Sequence, residues 1–184
     1  VGQVFSALNA QLSGKGIAAV GLGAGTVLCY SKPGQNWTFF EIDPLMRKIS
    51  SDPRYFTYLR DCAGRPRIVI GDARLTLSRE PSKRFALLII DAFSSDAIPV
   101  HLLTRESFKV YERVLDDHGV LFVHISNKHL DLKPVVGALA ADAGLTALIQ
   151  DHEPNEKVDG ELAYPRSEER RGGKGWRSPW SPGH

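Results

Sequence analysis

The sequence predicts an α/β fold with a doubly wound, mostly parallel sheet, and two observations support that prediction. First, short apolar runs followed by turn residues or an acid recur along the chain, as expected for strands buried on both faces. Second, segments with helical periodicity lie between these runs, joined to them by short connections. That alternation favours parallel strands linked by right-handed crossovers. The fold is expected to be incomplete at both ends.

The apolar runs predict six strands, over residues 17–20, 37–40, 67–70, 86–90, 120–125 and 145–149. Helices are expected between them, over residues 1–12, from Gly25 to Tyr30, from Pro44 onward, and over 51–64, 72–79, 101–115 and 132–143. Asp117, His118 and Gly119 are interpreted as a turn before the fifth strand. Each predicted strand is followed by a glycine, an acid or a polar segment.

Composition limits the range of functions. The chain has 184 residues, of which 42% are apolar, enough for one domain with a sizeable core. No apolar run is long enough to cross a membrane. Cys29 and Cys62 show neither a disulfide framework nor metal-ligand spacing, so both are expected to be unpaired in a reducing cytosol. The location is therefore expected to be cytoplasmic.

The end of the chain differs from the rest. Residues 165–184 carry five Lys or Arg against two acids, a net charge of +3, which leaves −1 of the total +2 for the other residues. A near-neutral body does not indicate nucleic-acid binding. We expect residues 1–164 to form a nucleoside-binding domain and residues 165–184 to be a disordered or non-native tail. Base stacking by Trp176 and Trp180 of the tail is a weaker alternative.

The candidate site lies where the strands end, because ligands of open parallel sheets bind outside the carboxyl ends of the strands. Gly21, Gly23 and Gly25 follow the first strand, and such a turn lets the backbone approach a ligand closely. Thr26 stands where a dinucleotide-binding turn has its third glycine, which favours a nucleoside without a pyrophosphate. Glycine-rich turns also arise for packing reasons alone.

Two acids follow the next two strands. Glu41 lies twenty residues after Gly21, where a carboxylate can accept both hydroxyl hydrogens of a ribose, although a surface acid at a strand end is common. Asp72 follows the third strand, where it can accept from the exocyclic amine of adenine, cap the next helix, or do both. Together with the glycine turn, these acids favour a nucleoside pocket.

These motifs resemble those of spermidine synthases, the polyamine aminopropyltransferases built on the Rossmann-like fold of class I S-adenosylmethionine-dependent methyltransferases. Bacterial forms fused to transporter-like membrane segments are the most similar. The resemblance covers residues 1–149 and depends on four segments: Gly21-Leu22-Gly23-Ala24-Gly25, Phe40-Glu41-Ile42-Asp43-Pro44, Gly71-Asp72-Ala73 and Asp91-Ala92-Phe93-Ser94-Ser95-Asp96.

The resemblance implies a role for each motif. Glu41 would hold the ribose, Asp72 with Ala73 the adenine, and Gly21, Gly23 and Gly25 the methionine-derived part of decarboxylated S-adenosylmethionine or of S-adenosylmethionine itself. Asp91 would be the catalytic acid–base residue and, with Asp96, would bind the polyamine. We expect the Asp91 carboxylate to be buried, because it ends a strongly apolar strand. No metal is expected.

The sequence also departs from the family. Asp91 and Asp96 are five residues apart, whereas spermidine synthases have two acids three apart. The turn lacks the family's Gly-Gly-Gly-Asp-Gly-Gly form, and the family's N-terminal β-domain is not represented in the sequence. A fragment or a divergent form is therefore expected. The histidines, including His101, His118 and His124, share no metal spacing and are interpreted as structural or loop residues.

Two other functions stay open. One is a methyltransferase that uses S-adenosylmethionine, since it would share the fold and the nucleoside contacts. The other is a non-catalytic nucleoside-sensing module attached to a transporter-like membrane segment outside this chain. The expected partner is a small-molecule polyamine or another amine, with no nucleic acid. A homodimer stays open as well.

Overall fold

The computed structural model describes residues 2–62, 64–93, 98–125 and 130–150. The chain divides into a compact unit, residues 1–147, and a second unit, residues 148–184. Of the second unit only residues 148–150 are described, and they form neither helix nor strand. Within the described ranges, no helix is long and apolar enough to cross a membrane.

In the described part of the chain, five strands form one sheet in which every neighbouring pair is parallel, which confirms the predicted doubly wound architecture. They are β1 (Gly16–Val20), β2 (Asn36–Glu41), β3 (Arg67–Ile70), β4 (Phe85–Ile90) and β5 (Leu115–Val123). Their order across the sheet is β3-β2-β1-β4-β5. From β1 the chain therefore adds β2 and β3 on one side, and then crosses back to add β4 and β5 on the other side of β1. This reversal places a crevice between the carboxyl ends of β1 and β4.

Helices and two 3-10 turns connect the strands. The helices are α1 (Gly2–Leu8), α2 (Pro44–Ser51), α3 (Tyr58–Asp61), α4 (Ala73–Leu77), α5 (Arg105–Val114) and α6 (Lys133–Asp142), and the 3-10 turns are Thr26–Tyr30 and Val100–Leu102. Apolar side chains cover both faces of the sheet. One core cluster includes residues of α4, α5 and α6, and the other includes Phe5 of α1 and Leu28 of the first 3-10 turn. All six β4 residues are buried, as a central strand requires.

The sixth predicted strand is wrong. Residues 145–150 form no strand, and Leu148 is 95% exposed. The Leu145 amide donates to the Ala140 carbonyl, so this residue closes α6 instead of starting a strand. An apolar run shows that a segment can be buried, but it does not supply a neighbouring strand to pair with.

Other boundaries also differ. The helix expected after Gly25 is a 3-10 turn, and the one expected over residues 51–64 is only the four-residue α3. Asp117, His118 and Gly119 lie inside β5, because the register shifts from Phe85 opposite Leu115 to Leu87 opposite Val120. The excess residues bulge out of the sheet, so β5 begins earlier than the apolar run indicates.

The prediction of unpaired cysteines is wrong as well. Cys29 and Cys62 form a disulfide, with their Cα atoms 4.7 Å apart and a sequence separation of 33. Cys29 lies in the first 3-10 turn and Cys62 follows α3, two elements that pack against each other. The pairing depends on this tertiary contact, which the sequence spacing does not reveal.

Candidate functional site

The turn after β1 is built from glycines with positive φ. Gly21, Gly23 and Gly25 have φ angles of 94°, 50° and 86°, a region that side chains with a Cβ rarely adopt. A Cβ on Gly21 would lie 2.4 Å from the Asp91 carbonyl oxygen, so the turn passes directly over the end of β4. The buried Ser50 hydroxyl of α2 donates to the Gly23 carbonyl from the other side. The turn is therefore held by two neighbouring elements.

Glu41 supports this turn. Its side chain is buried, with 8% exposed, at the carboxyl end of β2. One carboxylate oxygen accepts the Leu22 amide at 2.8 Å, and the other accepts the Asp43 amide at 2.9 Å. Each oxygen retains a lone pair for a further donor. Glu41 can therefore still accept hydrogen bonds from a ribose, but its side chain also holds the glycine turn in place.

Asp72 adopts the capping role that the sequence allowed. Its Oδ1 accepts the Leu75 amide at 3.0 Å and so caps α4. Its Oδ2 lies 3.4 Å from Nε2 of His101, in the second 3-10 turn. The Ala73 side chain packs in the core, which leaves its backbone as the part that can face a ligand.

The turn that carries His101 is anchored from α5. The hydroxyls of Ser107 and Tyr111 both donate to the Leu102 carbonyl, at 2.9 and 3.0 Å. Burial raises the pKa of the Tyr111 hydroxyl, so this group remains a proton donor at physiological pH. His101 therefore approaches Asp72 from a fixed segment.

Asp91 follows β4 at the crevice where the strand order reverses. Its backbone amide donates to the Val20 carbonyl at 3.0 Å, which fixes it beside the glycine turn. Its Oδ1 lies 2.8 Å from Nδ1 of His124, the residue that follows β5. The expectation of a buried carboxylate is wrong, because the Asp91 side chain is 40% exposed. A carboxylate one residue beyond an apolar strand can turn out of the core toward solvent.

The parallel sheet brings most of the predicted site residues to one edge. Gly21 follows β1, Glu41 is the last residue of β2 and Asp91 follows β4, three adjacent strands. The backbones of Glu41 and Asp91 are therefore separated by two strand spacings, about 10 Å. Asp72 stands beyond β3 at the same edge. The result is a carboxylate-rich rim around a glycine turn, which suits a ligand with positive charge. The predicted partner Asp96 lies outside the described residues.

Sequence reasoning missed three residues of this edge. His124 and His101 each contact a predicted acid, and Ser50 holds the glycine turn. A signal existed for His124 alone: it interrupts the fifth apolar run after Val123, much as Asp91 ends the fourth. Since parallel neighbours align their carboxyl ends, two polar residues in these positions are expected to meet.

The order of the sheet and its reversal beside β1 define the chain as a doubly wound α/β protein with a Rossmann-like fold of the methyltransferase type. Among curated proteins, the polyamine aminopropyltransferase of Vibrio vulnificus (strain CMCP6) is 34% identical over 110 residues. That match covers 57% of this chain and 36% of the relative. No protein-family model matches the sequence.

Solved structures agree on the fold. A probable spermidine synthase from Corynebacterium glutamicum matches with a TM-score of 0.54 and 22% identity, covering 65% of this chain and 43% of that one. A spermidine synthase from Thermotoga maritima matches with a TM-score of 0.55 and 19% identity, covering 71% and 44%. The chain thus spans less than half the length of each of these relatives.

Proposed function

We propose that this chain is an aminopropyltransferase, which transfers the aminopropyl group of decarboxylated S-adenosylmethionine to a polyamine. The observation that carries the proposal is Asp91, a half-exposed carboxylate at the crevice beside the glycine turn. The similarity to a polyamine aminopropyltransferase and the fold of solved spermidine synthases support it.

In this proposal the donor binds along the ends of β1, β2 and β3. The ribose hydroxyls donate to the remaining lone pairs of Glu41, whose buried position beside Leu22 brings it close to the glycine turn. The adenine amine donates to Asp72 Oδ2, the oxygen that does not cap α4 and that lies beside His101. The backbone of the glycine turn and of Ala73 supports the rest of the nucleoside.

The acceptor amine would lie at Asp91. An alkylamine is largely protonated at neutral pH, so it must lose a proton before its nitrogen can attack. The nitrogen lone pair then forms a bond to the methylene carbon beside the sulfonium, and the electrons of the C–S bond pass to sulfur. The products are the alkylated amine and neutral methylthioadenosine, and the proton of the amine passes to the Asp91 carboxylate.

The charge of the edge favours these reactants over neutral ones. Glu41, Asp72 and Asp91 are carboxylates at neighbouring strand ends, whereas the sulfonium and the protonated amine are both cations. Within the described residues, Asp91 Oδ2 has no hydrogen-bond partner, so it can accept from an amine while Oδ1 stays with His124. This asymmetry supports Asp91 as the residue that anchors the acceptor.

Calorimetry and a transfer assay test the proposal together. The chain is titrated with methylthioadenosine, decarboxylated S-adenosylmethionine and S-adenosylmethionine, and methylthioadenosine release is followed with putrescine present. We expect Asp91→Asn to keep nucleoside binding and to lose transfer by about 100-fold or more, because loss of a general base has that effect. Asp117→Asn, in the exposed bulge of β5, removes the same charge away from the edge and serves as control.

The outcomes separate the functions. Equal turnover by the parent and Asp91→Asn would overturn the mechanism. Methylated amine formed from S-adenosylmethionine, with no aminopropyl transfer, would establish the methyltransferase instead. Nucleoside binding without either reaction would favour the sensing module.

A further inference from the structure

We propose that His124 is the positioning residue of Asp91 and makes acceptor binding sensitive to pH. In its neutral form it donates Nδ1–H to one Asp91 oxygen and leaves the other for the amine. When protonated it places a positive charge beside the amine and weakens its binding. The identity of the ligand rests on the proposed function above.

The sheet itself places the two residues together. Ile90 and Val123, the last residues of β4 and β5, are paired in register. The ladder continues one step further, because the His124 amide donates to the Ile90 carbonyl at 3.0 Å. Asp91 is fixed in the same way by its bond to the Val20 carbonyl. The contact therefore joins two backbone positions that are fixed by the pairing of β4 with β1 and with β5.

The imidazole ring is oriented from two sides. Its Nδ1 lies 2.8 Å from Asp91 Oδ1, and its ring meets the Phe93 ring edge-on, with centroids 4.9 Å apart. The His124 side chain is 46% exposed, so a proton can reach its ring from solvent. This arrangement fixes which carboxylate oxygen is occupied and leaves the ring accessible to solvent.

The charges around the ring decide the sign of the pH effect. In the described part of the chain, Asp91 is the charged side chain in contact with His124, and the neighbouring Phe93 is uncharged. Other acids follow or end the neighbouring strands in the described residues: Glu41 accepts two backbone amides, Asp43 caps α2, and Asp72 has His101 beside it. Protonation of His124 therefore neutralises the pair with Asp91 and reduces the attraction for a cation as the pH falls.

The tautomer of His124 tests the contact without any activity measurement. We expect the imidazole ¹⁵N spectrum of the full chain to show the proton of the neutral ring on Nδ1, because the Asp91 oxygen accepts from it. In Asp91→Ala the proton should move toward Nε2. A parent ring protonated on Nε2, or a spectrum that Asp91→Ala does not change, would overturn the proposal.

Two substitutions separate orientation from charge. His124→Asn keeps an N–H donor near the position of Nδ1 but cannot become a cation, whereas His124→Ala removes both properties. His118→Asn changes an exposed histidine in the β5 bulge and serves as the matched control. Each protein is saturated with methylthioadenosine and titrated with putrescine from about pH 8 to pH 5, the range in which histidines change charge.

We expect the affinity of the parent and of His118→Asn for putrescine to fall about tenfold across this range, as one added charge near the ligand requires. His124→Asn should keep the affinity that the parent has at pH 8 and lose the decrease. His124→Ala should bind weakly throughout. If His124→Asn retains the decrease, this inference fails while the proposed function stands. If the parent binds no putrescine at any pH, the proposed function and the pH effect both fail. The ¹⁵N spectrum then still tests whether His124 donates a hydrogen bond to Asp91.

Discussion

Gly21 and Gly23 lie in one turn and both have positive φ, yet their surroundings differ. A Cβ on Gly21 would come within 2.4 Å of the Asp91 backbone, whereas a Cβ on Gly23 would meet nothing within 4 Å. Gly23→Ala should therefore lower the free energy of unfolding by about 1–2 kcal/mol, the penalty of the left-handed backbone. Gly21→Ala should lower the free energy of unfolding by about 1–3 kcal/mol more, because the backbone of the turn or of Asp91 must move to make room for the methyl group.

Urea unfolding of the two variants tests this comparison. Gly23→Ala is the control for backbone strain, so the difference between the variants isolates the close approach to Asp91. Equal losses would mean that the turn and the end of β4 are farther apart than the structure has them.

Glu41 combines a structural role with the proposed role in ribose binding, so its removal alone is ambiguous. Glu41→Gln should reduce stability, because the buried side chain accepts two backbone amides and the amide group can accept only one of them well. Each unmet buried donor costs about 1–3 kcal/mol. Loss of nucleoside binding could then follow from a displaced turn.

A change in the ligand resolves the ambiguity. We expect the parent to bind methylthioadenosine about 10- to 100-fold more tightly than its 2′,3′-dideoxy analogue, because charge-assisted hydrogen bonds contribute about 1.5–3 kcal/mol. Glu41→Gln should reduce that ratio, whatever its overall affinity. Calorimetry with both ligands provides the measurement, and an unchanged ratio would assign Glu41 to the turn alone.

The acids of the site could be predicted from the sequence because each follows a strand along the chain, whereas their partners could not. His124 meets Asp91 only through the pairing of β4 with β5, and His101 reaches Asp72 only because α5 anchors its turn. Such contacts depend on register and packing, which a local pattern does not contain.

At the scale of elements, α2 helps to shape the turn that follows β1. Ser50 is buried near the end of this helix and donates to the Gly23 carbonyl. Ser50→Ala should lower the free energy of unfolding by about 1 kcal/mol and weaken methylthioadenosine binding, because a neutral hydrogen bond contributes on that order. The adjacent Ser51 is exposed, so Ser51→Ala should change neither property. Identical effects of the two substitutions would show that the hydrogen bond from Ser50 to the glycine turn contributes neither to stability nor to ligand binding.

Five strands were predictable because each contains an apolar run whose side chains pack in or against the two cores, and a parallel sheet covers both faces of its strands. The sixth was wrong since Leu145 closes α6, a use of apolar residues that the same pattern permits. The bulge in β5 escaped prediction because Asp116 to Gly119 have the composition of a turn.

For the whole molecule, the Cys29–Cys62 disulfide links the exit of the glycine turn to α3. The two elements also pack together, and a Cβ on Gly25 would lie 2.7 Å from the Leu59 side chain. The bond closes a segment with a sequence separation of 33 residues. On the chain-entropy account a loop of that length stabilises the fold by about 3–4 kcal/mol, by restricting the unfolded state.

We therefore expect reduction to lower the thermal midpoint of the parent, because the unfolded chain then regains its freedom. Cys29→Ser/Cys62→Ser should unfold at the same lower temperature and should not respond to reductant. That double variant is the control for any direct effect of the reductant on the protein. Reduction of the disulfide acts mainly on the unfolded chain, which gains conformational freedom. The thermal midpoint should therefore fall even if the native contacts between the first 3-10 turn and α3 persist. Two free thiols in the denatured, non-reduced parent would show instead that the bond is not formed.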